Sequence, residues 1–287
     1  MNRRAGRKRI AGLGLLCVFL QAAVLPSSGL DLSFKLSGGY SFLVLNDVNR
    51  SLRDWVEFHK KEVASVPGWT FSGGKAEKVR GGFDLEGEVL LSLTPRWAVG
   101  IGSGYSYGEV TESRSAITTV ENFAVSRVYV RPTKVAATPL VVSGYHFWPL
   151  GPKFQIYVRA GMGWLWAKYV SREAGRKASE QSYTYTSFQS ASGRGALIQG
   201  GLGVKYSQNQ NLGFFCEASL RRAKANTFRG ANGTLYFFEE YNSFLDFWQA
   251  KIQTWEMAPA GETFRSVRKA VMDFGGFVLK LGFFIKF

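Results

Sequence analysis

Cysteine and histidine are almost missing from this chain of 287 residues, with two of each. Cys17 falls in an N-terminal apolar run that reads as a removable segment, so Cys216 stands alone and neither an intramolecular disulfide nor a cysteine metal cluster is expected. His59 and His146 are far apart and lack the ligand spacing of a zinc site. Long apolar stretches are missing too. Beyond the N-terminal run, none approaches the ~18 residues that a spanning helix needs. Acidic residues are the minority charge, 21 against 36 basic ones, for a net +15.

The N-terminus accounts for part of that excess. Arg3, Arg4, Arg7, Lys8 and Arg9 precede an apolar run of roughly 16 residues, from Ile10 to about Leu25, and then the small-residue stretch Pro26-Ser27-Ser28-Gly29. This is the layout of a secretory signal peptide, and the run is short for a membrane anchor. Leu16 before Cys17 argues against a lipoprotein cleavage site. The expected organisation is a signal peptide at 1–29 and one domain at 30–287. Removing five of the 36 basic residues leaves a net +10. For an exported chain that balance points away from nucleic acid and toward anionic lipid headgroups.

What the remainder has in abundance is alternation. Phe277, Leu279, Leu281, Phe283, Ile285 and Phe287 share one parity, with Lys280, Gly282 and Lys286 on the other; period two puts the sets on opposite faces of a strand. The pattern recurs over 32–44, 83–93, 97–107, 154–166, 198–206 and 212–221. Glycine, serine or charge recurs opposite the oily residues. An eighth candidate, Val135 to Trp148, has mixed phase. The glycines of Gly100-Ile101-Gly102-Ser103-Gly104 fall on such a strand with no helix after them, which excludes a phosphate-binding loop. Small inward residues instead make room for large ones in a narrow barrel.

Connections alternate in length. Short ones lie near 94–96, 150–153 and 207–211, and long ones at 45–80, 109–134, 168–190 and 223–270. Tight turns at one end and long loops at the other suit a membrane barrel, in which periplasmic turns are short. The span from Trp97 to Tyr107 covers roughly 25 Å of height at the tilt such barrels use. Aromatic girdles are expected at both edges: Trp97, Trp148, Phe154, Tyr206 and Phe287 on one side, Tyr105, Tyr107, Trp164 and Trp166 on the other. The charges of the inward parity are Lys35, Asp84, Glu86, Glu88, Arg159, Lys205, Glu217, Arg221 and Lys280. They form either a paired polar plug or a gated ion path. Two long loops carry mostly apolar sets at helical spacing: Leu52, Trp55, Val56, His59 and Val63, then Phe237, Tyr241, Phe244, Leu245, Trp248, Ile252 and Trp255. Both are expected as amphipathic helices, packed over the barrel mouth or offered to a membrane surface or partner.

The terminal strand ending in Phe287 and the turn Leu93-Thr94-Pro95-Arg96-Trp97 make the chain resemble the small outer-membrane β-barrel proteins of Gram-negative bacteria, the OmpA/OmpX-like group, over roughly 30–287. The resemblance implies an eight-stranded antiparallel up-and-down transmembrane β-barrel with long outer loops, ten strands being the alternative. It also implies that Phe283, Ile285 and Phe287 form the signal read by the barrel-assembly machinery. Some eight-stranded barrels act on lipid A, but Trp148 occupies the position where a serine would follow His146, and His59 has no assignable nucleophile. No catalytic residue, metal or cofactor is expected. The expected role is structural or surface-interacting in the outer membrane, with lipids as partners and an extracellular partner through the long loops. A narrow porin or solute conduit comes second, and an enzyme acting on outer-membrane lipid third.

Overall fold

A strand whose two faces meet different surroundings must alternate its side chains, and that rule organises nearly the whole fold. The computed structural model describes residues 31–74, 78–120, 123–178 and 184–287. The signal peptide expected at 1–29 lies outside the described residues. In chain order the elements are β1 (Asp31–Phe42), α1 (Asn46–Ser65), β2 (Trp69–Gly74), β3 (Gly81–Ser92), β4 (Trp97–Val120), β5 (Phe123–Pro149), β6 (Phe154–Ala178) and β7 (Thr184–Ser207). There follow β8 (Leu212–Gly230), β9 (Gly233–Asn242), β10 (Phe247–Trp255), β11 (Phe264–Lys269), β12 (Met272–Asp273) and β13 (Gly276–Lys286).

Eight strands close into a ring, all antiparallel: β1 pairs with β13 and β3, β3 through β8 pair in succession, and β8 returns to β13. A rung of paired residues leaves β3 at Ser92 and passes through Ala98, Tyr145, Arg159, Gly201, Ser219, Val278 and Ser41. It comes back to β3 at Gly82, ten residues from its start. With that stagger, eight strands tilt by about 40° and enclose a bore that side chains can fill.

The two faces separate as the alternation demands. Outward, large apolar side chains are left bare, including Met162 at 69%, Leu220 at 68% and Leu281 at 67% exposure. Inward on β3, Asp84, Glu86 and Glu88 are buried. The mixed phase of β5 resolves with Val141 and Tyr145 inside and Val142 and Trp148 outside. Tyr157 faces Gly203 across β6 and β7, and a Cβ on Gly203 would come within 2.2 Å of the Tyr157 ring. Glycine is what lets that ring lie flat on the neighbouring strand.

Three expectations need correction. The stretches 109–134 and 168–190 are largely strand rather than loop, because β4 with β5 and β6 with β7 stay paired far past the aromatic rows. Their Val-, Thr- and Ser-rich alternation suits an extended hairpin. Among the described residues the ring accounts for eight of thirteen strands, the others being built on its long-loop end. Finally, the second helix does not form: residues from Phe237 to Trp255 make the hairpin of β9 and β10. The apolar spacing there straddles a turn at 243–246, where Asp246 takes φ 47°. Each half also carries β-favouring residues, Leu235-Tyr236-Phe237-Phe238 before the turn and Thr254-Trp255 after it.

The first helix forms as expected. Leu52, Trp55, Val56, His59 and Val63 are all buried on α1, which stops before Pro67 and Gly68, the latter at φ 80°. Val48 and Leu52 join a core made of inward residues from the ring, among them Val135, Val141 and Leu165, and of Leu235, Phe237, Ala250 and Ile252 from β9 and β10. The helix and the β9–β10 hairpin therefore sit in the long-loop mouth and close it.

Candidate functional site

The inward charges meet in one layer across the bore. Lys35 contacts Glu217 at 2.5 Å. Arg159 contacts Glu86, Glu88 at 3.3 Å and Glu217 at 3.3 Å. Lys280 contacts Glu86 and lies 3.4 Å from Asp84, and Arg221 pairs with Asp84 at 2.8 Å. Four cations thus face four carboxylates, all buried. The register explains how they converge. Along the rung Glu217, Lys280, Gly39, Asp84 and Ser106, the side-chain-free glycine separates Lys280 from Asp84 and leaves space for both.

Hydroxyls complete the layer. Tyr145 donates to Glu88, Tyr157 donates to Glu217 at 2.9 Å, and Ser106 donates to Asp84 at 2.5 Å. Arg159 Nε donates to Ser143 at 3.1 Å. Sequence reading missed these partners, although inward parity marks each of them. Buried ions persist only when their remaining hydrogen-bonding capacity is met, which is what the hydroxyls supply.

Lys205 does not belong to this layer, against expectation. Its ammonium stands 3.8 Å over the Phe284 ring, without a carboxylate partner among the described residues. It lines a vestibule of about 510 Å³ at the short-turn end, together with Lys35, Tyr145, Tyr157, Phe215 and Phe284. Parity fixed its side of the wall, but its height on β7 puts it below the carboxylates.

From the vestibule inward, the bore is filled by the ionic layer, then by the apolar core, then by the cap. Polar clamps hold the cap. Asp47 accepts both guanidinium nitrogens of Arg268, at 2.5 and 2.7 Å, and the Val271 N–H at 3.1 Å. Asp54 accepts the Ala250 N–H at 3.1 Å. Arg114 lies 3.8 Å over the Trp55 ring, donates to the Trp55 carbonyl at 3.2 Å and contacts Glu173 at 3.3 Å. Burial lowers its guanidinium to about 10 against the opposing pull of Glu173, so it stays charged at neutral pH.

The expected girdles lie on the outer face. Trp97, Tyr105, Trp148, Phe154, Trp164 and Trp166 are exposed, while Tyr107 and Tyr206 are half-buried. Tyr206 packs on Phe154 at 5.1 Å. His146 is outward as well, between Trp97 at 4.3 Å and Trp148 at 4.4 Å. His59 is buried, with Nδ1 2.8 Å from Glu62 and its ring 5.2 Å from Tyr129. On the last strand, Phe283 is half-buried, Ile285 and Phe287 are exposed, and the Phe287 N–H bonds the Leu32 carbonyl at 2.9 Å.

The chain matches no protein-family model. No curated protein matches it by sequence. Among solved structures it is similar to the outer membrane protein OprG of Pseudomonas aeruginosa, at 14% identity over 90% of this chain and 95% of that one, with a TM-score of 0.31. It is also similar to the outer membrane protease OmpT of Escherichia coli, at 8% identity over 90% of this chain and 96% of that one, with a TM-score of 0.26.

Proposed function

We propose that this is a sealed outer-membrane β-barrel protein with a structural or surface-interaction role. The observation that carries the reading is the filled bore: a balanced ionic layer beneath an apolar core and a clamped cap. The outer face supports the membrane assignment. Its apolar rows between the two aromatic rows span roughly 25 Å, the height of a bilayer's hydrocarbon band. A water-soluble ring would have no physical reason to leave Met162, Trp164, Leu220 and Leu281 bare. The partners are outer-membrane lipids around the belt, with Phe283, Ile285 and Phe287 read by the assembly machinery.

The surface-interaction part rests on reach. The β4–β5 hairpin continues about 30 Å beyond Tyr107, well clear of a bilayer surface. Against the conduit reading stands the ionic layer, which lies across the bore above the vestibule among the described residues. No catalysis is assigned: His59 sits against Glu62 and Tyr129, and His146 faces outward between tryptophans. Planar-bilayer recordings of the purified chain test the proposal. No steps above baseline are expected, and reproducible single-channel conductance would overturn it.

A further inference from the structure

Charge is unevenly placed just above the outer aromatic row. On β4 and β5, Glu109 and Lys134 pair at 3.0 Å. On β6, β7 and β8, Lys168, Arg194, Arg222 and Lys224 all point outward and exposed. Asp273 stands opposite Lys224 in the sheet register, its Oδ1 accepting the Gly275 N–H at 2.8 Å. The registers align Trp166 with Arg194, Ala196 with Lys224 and Ile198 with Arg222. The rung that leaves β3 at its short-turn end returns at its long-loop end, so each step from β6 to β8 climbs by about 3 Å. Lys168, Arg194 and Lys224 therefore stand level to within about 5 Å, just above Trp166, with Arg222 about 5 Å lower at the height of the Trp164 ring.

Beneath Arg222 the outer wall is dented. A depression of about 390 Å³ opens around Ile198, Gly200, Leu220 and Arg222. It exists because Gly200 presents no side chain: a Cβ there would meet nothing nearer than the Arg159 carbonyl oxygen at 3.8 Å. A lipid-facing arginine at the depth of an aromatic row costs little, because its guanidinium reaches the headgroup layer, where phosphates are within its range. Guanidinium groups take phosphate oxygens in pairs.

We propose that this patch binds a phosphorylated, multiply acylated glycolipid of the outer leaflet, a lipid A-type molecule. Arg194, Arg222 and Lys224 hold a phosphate, Lys168 flanks it, and one acyl chain lies in the groove at Gly200. The proposal rests on the outer-membrane reading. What favours this lipid is the coincidence of a cation cluster dense enough for more than one phosphate charge with an apolar groove directly below it.

The test is native mass spectrometry of the detergent-purified full chain, titrated with bisphosphorylated lipid A, enzymatically dephosphorylated lipid A and phosphatidylglycerol. Each cation at an anionic lipid surface strengthens binding about fivefold, so losing three weakens it roughly a hundredfold. The triple variant Arg194→Gln, Arg222→Gln, Lys224→Gln should lose that much affinity for bisphosphorylated lipid A, and Lys134→Gln less than about twofold. Equal binding of the three lipids by the unmodified chain overturns the proposal, as does an unchanged affinity in a triple variant whose heat-shifted gel band shows it folded. Should that variant misfold, the three-lipid comparison decides alone. A chain that stays folded and monomeric without detergent sinks the membrane reading itself, a failure separate from a detergent-requiring chain with no lipid preference.

Discussion

Arg159 is the group on which the ionic layer turns, and Arg159→Met is the perturbation that tests it. Its side chain is 1% exposed and contacts Glu86, Glu88 and Glu217. Methionine fills much of the same space but leaves four carboxylates facing three cations. Removing one partner of a buried ion pair costs about 3–5 kcal/mol, chiefly because the remaining charges lose their compensation. The vestibule below brings water toward the layer, which favours the lower end, about 3 kcal/mol. At 1.4 kcal/mol per decade, that is a loss of roughly a hundredfold in the folding equilibrium. Urea unfolding of the chain refolded into lipid vesicles, followed by tryptophan fluorescence, measures it. Adding Glu88→Gln restores the balance at three against three and should recover at least about 1 kcal/mol. A single variant losing under about 1 kcal/mol, or a double variant no better than the single, refutes the account of a charge-balanced plug.

Gly203→Val drives a side chain into the ring of Tyr157, 2.2 Å from where its Cβ would stand. Overpacking of this kind costs about 1–3 kcal/mol in the same unfolding assay, and Tyr157→Leu in the second strand should return part of it. Trp55→Ala removes the surface on which Arg114 lies, so limited proteolysis should cut 46–65 faster while the ring keeps its heat-shifted mobility on gels. A cleavage rate equal to that of the unmodified chain would show that the clamp does not hold the helix. Asp47→Asn breaks a two-bond contact with Arg268 and weakens the bond to the Val271 N–H. A loss of about 1–3 kcal/mol is expected, with amide exchange rising around β11 and β12 ahead of β13.

Much of the ring was legible because a strand has only two faces. Once oily residues mark one side, every charge of the other parity must point inward, and Asp84, Glu86, Glu88, Arg159, Glu217, Arg221, Lys35 and Lys280 all do. The helix at Asn46–Ser65 was legible for a related reason, since four apolar residues and His59 lie at helical spacing in one unbroken stretch before a proline. The same spacing misled between Phe237 and Trp255, where aromatic residues at every third or fourth position fit helix and hairpin alike until the turn at Asp246 intervenes. The strand extensions past Val110 were hidden because polar alternation without an apolar face looks like loop.

Local pattern alone thus determined which way each side chain faces and where the wall is oily, because both follow from the two-residue repeat and need no knowledge of neighbours. Height and closure were decided only in three dimensions. Whether Lys205 meets a carboxylate depends on the ten-residue stagger around the ring, and whether the bore is sealed depends on segments distant in sequence, α1 and the β9–β10 hairpin, folding into the same mouth. Those are relations between strands and loops, set by register and packing, and no single stretch of sequence contains them.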